Sequence, residues 1–142
     1  MEITFHGVRG AIPAPGPETV RYGGNTSCVS VRTRAGKLLI LDCGTGAIAL
    51  GRTMVASEFG RGQGHAAILL SHAHWDHIQG FPFFAPAFVG GNKIHMYGAS
   101  NSRGTVESAM AGQMEFPNFP VKLSELGSEL IFHHISPGDV VH

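Results

Sequence analysis

An α/β fold built on one mixed β-sheet with flanking helices is the architecture this 142-residue sequence predicts. Three observations point to it. Short apolar runs recur between Gly, Pro, Asn and Ser punctuation. A strand–turn–helix pattern follows the third run. Leu, Ile, Val and Phe supply about 26% of the chain, above the roughly 20% at which chains stay disordered.

Taken in order, strands are expected over Ile3 to Phe5, Cys28 to Val31 and Leu38 to Leu41, with a hairpin through Thr33 to Gly36 joining the last two. Val29 and Val31 alternate with Ser30 and Arg32, whereas Leu38 to Leu41 is continuously apolar, as in a strand covered on both faces. Gly44-Thr45-Gly46 makes a turn, and a helix over Ala47 to Phe59 places Ile48, Met54 and Val55 near one face. The Gly60 to Gly64 segment breaks the chain before strands at Ala66 to Leu70 and Ile94 to Tyr97. A second helix is expected from about Gly104 to Gln113, then strands at Glu129 to His133 and from Val140, with Ser136-Pro137-Gly138-Asp139 turning between them. Residues 1–142 read as one domain without repeats or linker, and Gly7 to Gly24 is a long loop of the kind a compact fold keeps for function.

Composition bounds the partners. Ten basic residues balance ten acidic ones and the isoelectric point is near 7.1, far from the value above about 9 that marks a nucleic-acid footprint, so nucleic acid is disfavoured and a small-molecule substrate expected. Cys28 and Cys43 are too few for a disulfide scaffold and read as reduced, buried thiols. No apolar stretch approaches a membrane span or a signal peptide, so a soluble, cytoplasmic chain is expected, with homo-oligomerisation open.

The chemistry concentrates in Ser71-His72-Ala73-His74-Trp75-Asp76-His77, directly after the strand Ala66 to Leu70. That is the carboxyl end of a strand, where α/β sheets bind ligands. His72 and His74 are two apart and project to one side of an extended chain, while Asp76 and His77 can turn toward a second ion, so two divalent metal ions are expected. A polar His-rich loop is the bland alternative, but it would leave these groups without partners beside a buried strand. A structural zinc site normally closes four ligands, often with Cys, and none lies nearby. Asp42, ending a buried strand, is a candidate to accept a hydrogen bond from a ligand imidazole, or else a turn-capping Asp. Trp75 and Phe81, Phe83, Phe84 and Phe88 read as core or pocket wall rather than as a platform on which bases stack, and His6, His65 and His95 as ordinary.

The His-x-His-x-Asp-His run, with Leu41-Asp42-Cys43-Gly44-Thr45-Gly46 upstream, resembles the metallo-β-lactamase superfamily. Gly7-Val8-Arg9-Gly10, Tyr22-Gly23-Gly24-Asn25-Thr26-Ser27 and His77-Ile78-Gln79-Gly80-Phe81-Pro82 are similar to its phosphodiesterase-like branch, which includes the carbon-phosphorus-lyase-associated phosphodiesterase and the tRNA 3′-end nuclease. The resemblance implies the first half of an αββα sandwich. It also implies His72 and His74 on one ion, Asp76 and His77 on the other, Asp76 as the catalytic carboxylate and Asp42 behind the ligands. Two ions, Zn²⁺ or else Mn²⁺ or Fe²⁺, would supply a hydroxide to a phosphodiester. A carboxylic-ester, lactone or thioester hydrolase and a non-catalytic metal-binding module are the alternatives. The family's later ligands have no match at His133, His134, His142 or Asp139, so the chain is expected to be truncated on its C-terminal side and inactive alone, with an uncovered apolar face.

Overall fold

The computed structural model describes residues 1–99 and 104–141. Six strands, β1 (Glu2–Gly7), β2 (Cys28–Arg32), β3 (Leu38–Leu41), β4 (His65–Leu69), β5 (Lys93–Gly98) and β6 (Glu129–His134), form one sheet in sequence order. The first three pair antiparallel and the rest parallel, giving the expected mixed sheet. The β2–β3 hairpin closes as its sequence requires, with Thr33 N–H on the Lys37 carbonyl at 2.9 Å and Gly36 at φ 81°.

Helices α1 (Gly46–Met54) and α3 (Val106–Gln113) flank the sheet, and the short α2 (Trp75–Ile78) carries part of the His motif. The core lies on one sheet face: Ile40, Ile68, Ile94 and Met96 are fully buried in one cluster with Ala47, Leu50 and Met54 of α1 and Val106 and Met110 of α3. Side chains alternate across a strand. The other face therefore holds Ile3, Phe5 and Leu41, which are 51%, 69% and 39% exposed. Leu38 to Leu41 is thus covered on one face only, and the expected uncovered apolar face is present.

Three elements differ from the sequence reading. α1 stops at Met54, and Glu58–Arg61 forms a separate 3-10 turn. The Thr53 and Ser57 hydroxyls donate to the Leu50 and Met54 carbonyls (2.8 and 2.6 Å), and Ser57 is extended, so the helix cannot propagate to Phe59. No strand forms at Val140 and Val141, because Ser136 N–H and Asp139 N–H close the turn before them on the Asp139 carboxylate and the Ser136 carbonyl. Trp75 is 75% exposed, and Phe83 and Phe88 are also exposed, whereas Phe81 and Phe84 are buried as expected. Trp75 opens α2, a single turn that buries only Ile78.

Candidate metal centre

The carboxyl ends of β3 and β4 set the site. Asp42 leaves β3 at φ 59°, a left-handed position that Asp tolerates better than most residues, and is 8% exposed. Its amide is held by the Leu69 carbonyl (3.0 Å), which ties the two strand ends together. The next two residues fix α2: Cys43 N–H donates to the His77 carbonyl (2.7 Å) and Gly80 N–H to the Cys43 carbonyl (3.0 Å). Only glycine permits this approach, since a Cβ on Gly44 would overlap the Asp76 carbonyl oxygen and one on Gly80 the Gly44 carbonyl oxygen.

Asp42 then becomes the acceptor at the centre of the cluster. It takes Ser71 N–H at 2.8 Å, the Ser71 hydroxyl at 2.9 Å, the Ser27 hydroxyl at 3.2 Å and His77 Nδ1 at 2.7 Å. A carboxylate that accepts from Nδ1 holds the proton there, leaving the Nε2 lone pair for an electrophile. Asp76 Oδ2 lies 3.3 Å from that Nε2 and accepts Ala11 N–H at 2.9 Å. The Ala11 amide is the largest influence holding the Asp76 carboxyl below the ordinary carboxylate range; His77 and His72 add to it and burial opposes it. An imidazole nitrogen and a carboxylate oxygen facing each other are both acceptors, so a proton or a cation must satisfy the pair.

Ser71 extends the arrangement. With its hydroxyl hydrogen given to Asp42, its oxygen can accept from His72 Nδ1 at 3.1 Å, which leaves His72 Nε2 as the free lone pair. The His72 ring lies 4.1 Å from that of His77 and 4.4 Å from that of His74, centroid to centroid. The structure thus brings His72, His74, Asp76 and His77 together beside Asp42. Among the described residues, however, no group of three or more His, Cys, Asp or Glu side chains is already gathered around one ion position. The donor types nevertheless suit a divalent transition metal: three imidazoles, two of them with Nδ1 held by Ser71 or Asp42, and one carboxylate. Ser71 and Ser27 were given no role from sequence; the signal for the first was its position beside the motif, and for the second its place at the end of the Tyr22-to-Ser27 run.

Other histidines lie elsewhere. His133 hydrogen-bonds His95 (2.8 Å) and stacks on Tyr97 with ring centroids 4.4 Å apart, on the uncovered sheet face. His6 bonds the Ser30 hydroxyl at 2.8 Å. His142 is outside the described residues. Asp139 closes its turn, as the sequence implies. Asn25 accepts from the Thr45 hydroxyl (3.3 Å) and Arg9 is exposed on the long loop. Cys28 and Cys43 are free and buried; burial, with Asp42 nearby, pushes the Cys28 thiol up to about 12 and raises Cys43 as well, so neither is a reactive thiolate. Among the described residues no helix is long and apolar enough to cross a membrane.

Comparison with known proteins places this geometry. The chain is similar to proteins named ribonuclease Z from Haloarcula marismortui (30% identity over 99% of this chain and 39% of the relative) and Haloferax volcanii (26% over 100% and 39%). A third, from Natronomonas pharaonis, shares 29% over 87% of this chain and 37% of its own length. The chain therefore spans about two fifths of these relatives. No solved structure matches. The ribonuclease names overturn the expectation against nucleic acid. Net charge averages over a surface, whereas phosphate contact needs only a local basic patch, and the loop that reaches Asp76 exposes Arg9 and Arg21. The metallo-beta-lactamase superfamily profile matches residues 21–137, across the Asp42 turn, the His motif and five of the six strands. On that match, and on a mixed sheet flanked by helices with the motif at its carboxyl edge, the chain belongs to the metallo-beta-lactamase superfamily.

Proposed function

We propose that the chain carries the metal-binding part of a phosphodiesterase site that acts on RNA. The observation that carries the reading is the line Asp42–His77–Asp76, in which a buried carboxylate orients an imidazole toward a second carboxylate at the sheet's carboxyl edge. In this reading His72 and His74 hold one ion, Asp76 and His77 hold the other, and further ligands complete the pair; zinc is the first choice for N and O donors of this kind. Divalent ions there would supply hydroxide near neutral pH and offset charge building up on the phosphoryl oxygens.

The residues of the chain do the rest. Asp42 and Ser71 keep protons on the Nδ1 atoms of His77 and His72, so that both rings present Nε2. Asp76 is the candidate catalytic carboxylate, fixed by the Ala11 amide. Trp75, exposed between His74 and Asp76, offers a face on which a base can stack, and Arg9 and Arg21 offer charge to flanking phosphates. RNA is favoured over a lactone or thioester by the relatives' names, because the motif alone would serve any of these electrophiles. Two buried free thiols fit a reducing, cytoplasmic setting.

The test measures bound divalent metal, and cleavage of a 3′-extended RNA, bis(p-nitrophenyl) phosphate, a lactone and a thioester, by the protein in the longest form its reading frame encodes. Both phosphodiesters are expected to be cut in a metal-dependent way, with loss in His72→Ala and Asp76→Ala. Activity confined to the lactone or thioester refutes the phosphodiester assignment, and hydrolysis unaffected by chelation refutes the metal.

A further inference from the structure

The Asp76 carboxylate has one partner that comes from far away in sequence. Ala11 sits in the long loop between β1 and β2, 65 residues before Asp76, and its backbone N–H donates to Asp76 Oδ2 at 2.9 Å. Ala11 is also one of only two non-glycine residues with positive φ among those described, at φ 68°; the other is Asp42, at the centre of the same cluster. Ile12 N–H donates to the Gly10 carbonyl at 2.9 Å, closing a three-residue turn around Ala11 in its rare positive-φ form. Strained backbone of this kind persists only where its surroundings enforce it.

The surroundings do enforce it. Val8 and Arg9 N–H both donate to the Asn25 carbonyl (3.0 and 2.9 Å), and Ala14 N–H donates to the Gly24 carbonyl (2.8 Å), so the loop's two ends are clamped. The next residue, Thr26, is fully buried, and its hydroxyl accepts Thr45 N–H at 2.8 Å while its own N–H donates to the Thr45 hydroxyl at 2.9 Å. Thr45 belongs to the turn that follows Asp42. The amide of Ala11 is therefore fixed to the same scaffold as the His motif, and the loop is shaped to aim it.

We propose that the Ala11 backbone amide is a positioning group for Asp76: by holding Oδ2 it fixes the carboxylate's rotation and keeps that oxygen facing His77 Nε2, the pair that would share an ion. Oδ2 is the oxygen held between the Ala11 amide at 2.9 Å and His77 Nε2 at 3.3 Å. The inference rests on Asp76 being a metal ligand, as under Proposed function. It adds that a backbone group of the distant loop, with no side-chain chemistry of its own, sets that ligand's geometry.

The experiment exchanges single amides for esters in the full chain by incorporating α-hydroxy acids, which deletes an N–H without changing a side chain, and measures zinc affinity against a chromophoric chelator alongside the circular dichroism spectrum. An ester at Ala11 is expected to weaken zinc binding at one ion about tenfold, the lower end of what outer hydrogen bonds contribute to metal sites, with the spectrum unchanged. An ester at Thr19, whose N–H donates to the Gly16 carbonyl at 3.1 Å within the same loop, is expected to leave affinity within twofold. Ala11→Gly keeps the amide, relieves the positive φ and is expected to bind zinc at least as well as the parent. Equal zinc affinity in the Ala11 ester and the parent overturns the proposal, as does equal weakening by the Thr19 ester. If the unmodified chain takes up no zinc, the metal reading itself falls and the positioning role falls with it.

Discussion

Asp42→Asn separates the charge of the central carboxylate from its shape. Asparagine tolerates the φ of 59° at this position, so the backbone need not move. One acceptor oxygen, however, becomes an NH₂ donor. Whichever way the amide turns, that donor meets either Ser71 N–H, now 2.8 Å from Oδ1, or His77 Nδ1, now 2.7 Å from Oδ2. One charge-assisted hydrogen bond is lost, worth about 1.5–3 kcal/mol. If the cost falls on His77, the proton leaves Nδ1 and the ring presents the wrong tautomer, so zinc affinity falls about 10- to 100-fold at 1.4 kcal/mol per decade. If it falls on Ser71, the same energy comes off the fold, roughly 5 °C in melting temperature for a chain of this size. Competition with a chromophoric chelator and a thermal melt of the metal-free protein read the two outcomes separately. Zinc affinity within twofold of the parent together with a melting temperature within 1 °C would show that Asp42 is a turn-capping residue and nothing more.

Gly44→Ala should destabilise the fold by about 2 kcal/mol or more, because the new methyl overlaps the Asp76 carbonyl oxygen and lies close to the Thr26 hydroxyl; an unchanged urea midpoint would contradict the close approach of α2 to the Asp42 turn. The third concerns pH. Burial first, then His133, His65 and Lys93, lower the His95 pKa below 6.5, opposed by Glu129, so the unfolded chain binds more protons as pH falls through 6.5. Stability should therefore decline below that pH, with His6, also lowered by burial, acting in the same direction. His95→Gln should flatten the decline between pH 7.5 and 5.5, and identical pH profiles for the variant and the parent would remove His95 from the account.

The features legible in the sequence were those that depend on pattern. Alternation and punctuation located all six strands to within about two residues, and the spacing of His72, His74, Asp76 and His77 located the candidate site. Helix length was misjudged, because the hydroxyls of Thr53 and Ser57 compete for α1 carbonyls in a way apolar spacing does not record. Trp75 is exposed rather than core or pocket wall, because it opens a single-turn helix whose brevity its sequence does not reveal. The reading against nucleic acid failed for another reason: a sum of charges discards their positions, and Arg9 and Arg21 both lie exposed on the loop that reaches Asp76.

What pattern cannot supply is the connection between distant backbone groups and a side chain. Asp42 was nominated as an acceptor for one imidazole, yet it also organises Ser71, and through Ser71 it reaches His72. Asp76 was nominated from its spacing, yet a loop amide 65 residues away takes one of its oxygens. Both carboxylates sit where the backbone departs from regular geometry, Asp42 at its own φ of 59° and Asp76 under Ala11 at 68°. Positive φ at a non-glycine residue costs energy that local sequence does not repay. Finding both instances within one hydrogen-bonded cluster argues that the sheet edge is shaped around the orientation of His77 and Asp76, and that loss of the Ala11 N–H or the Ser71 hydroxyl should lower zinc affinity before it lowers the stability of the fold.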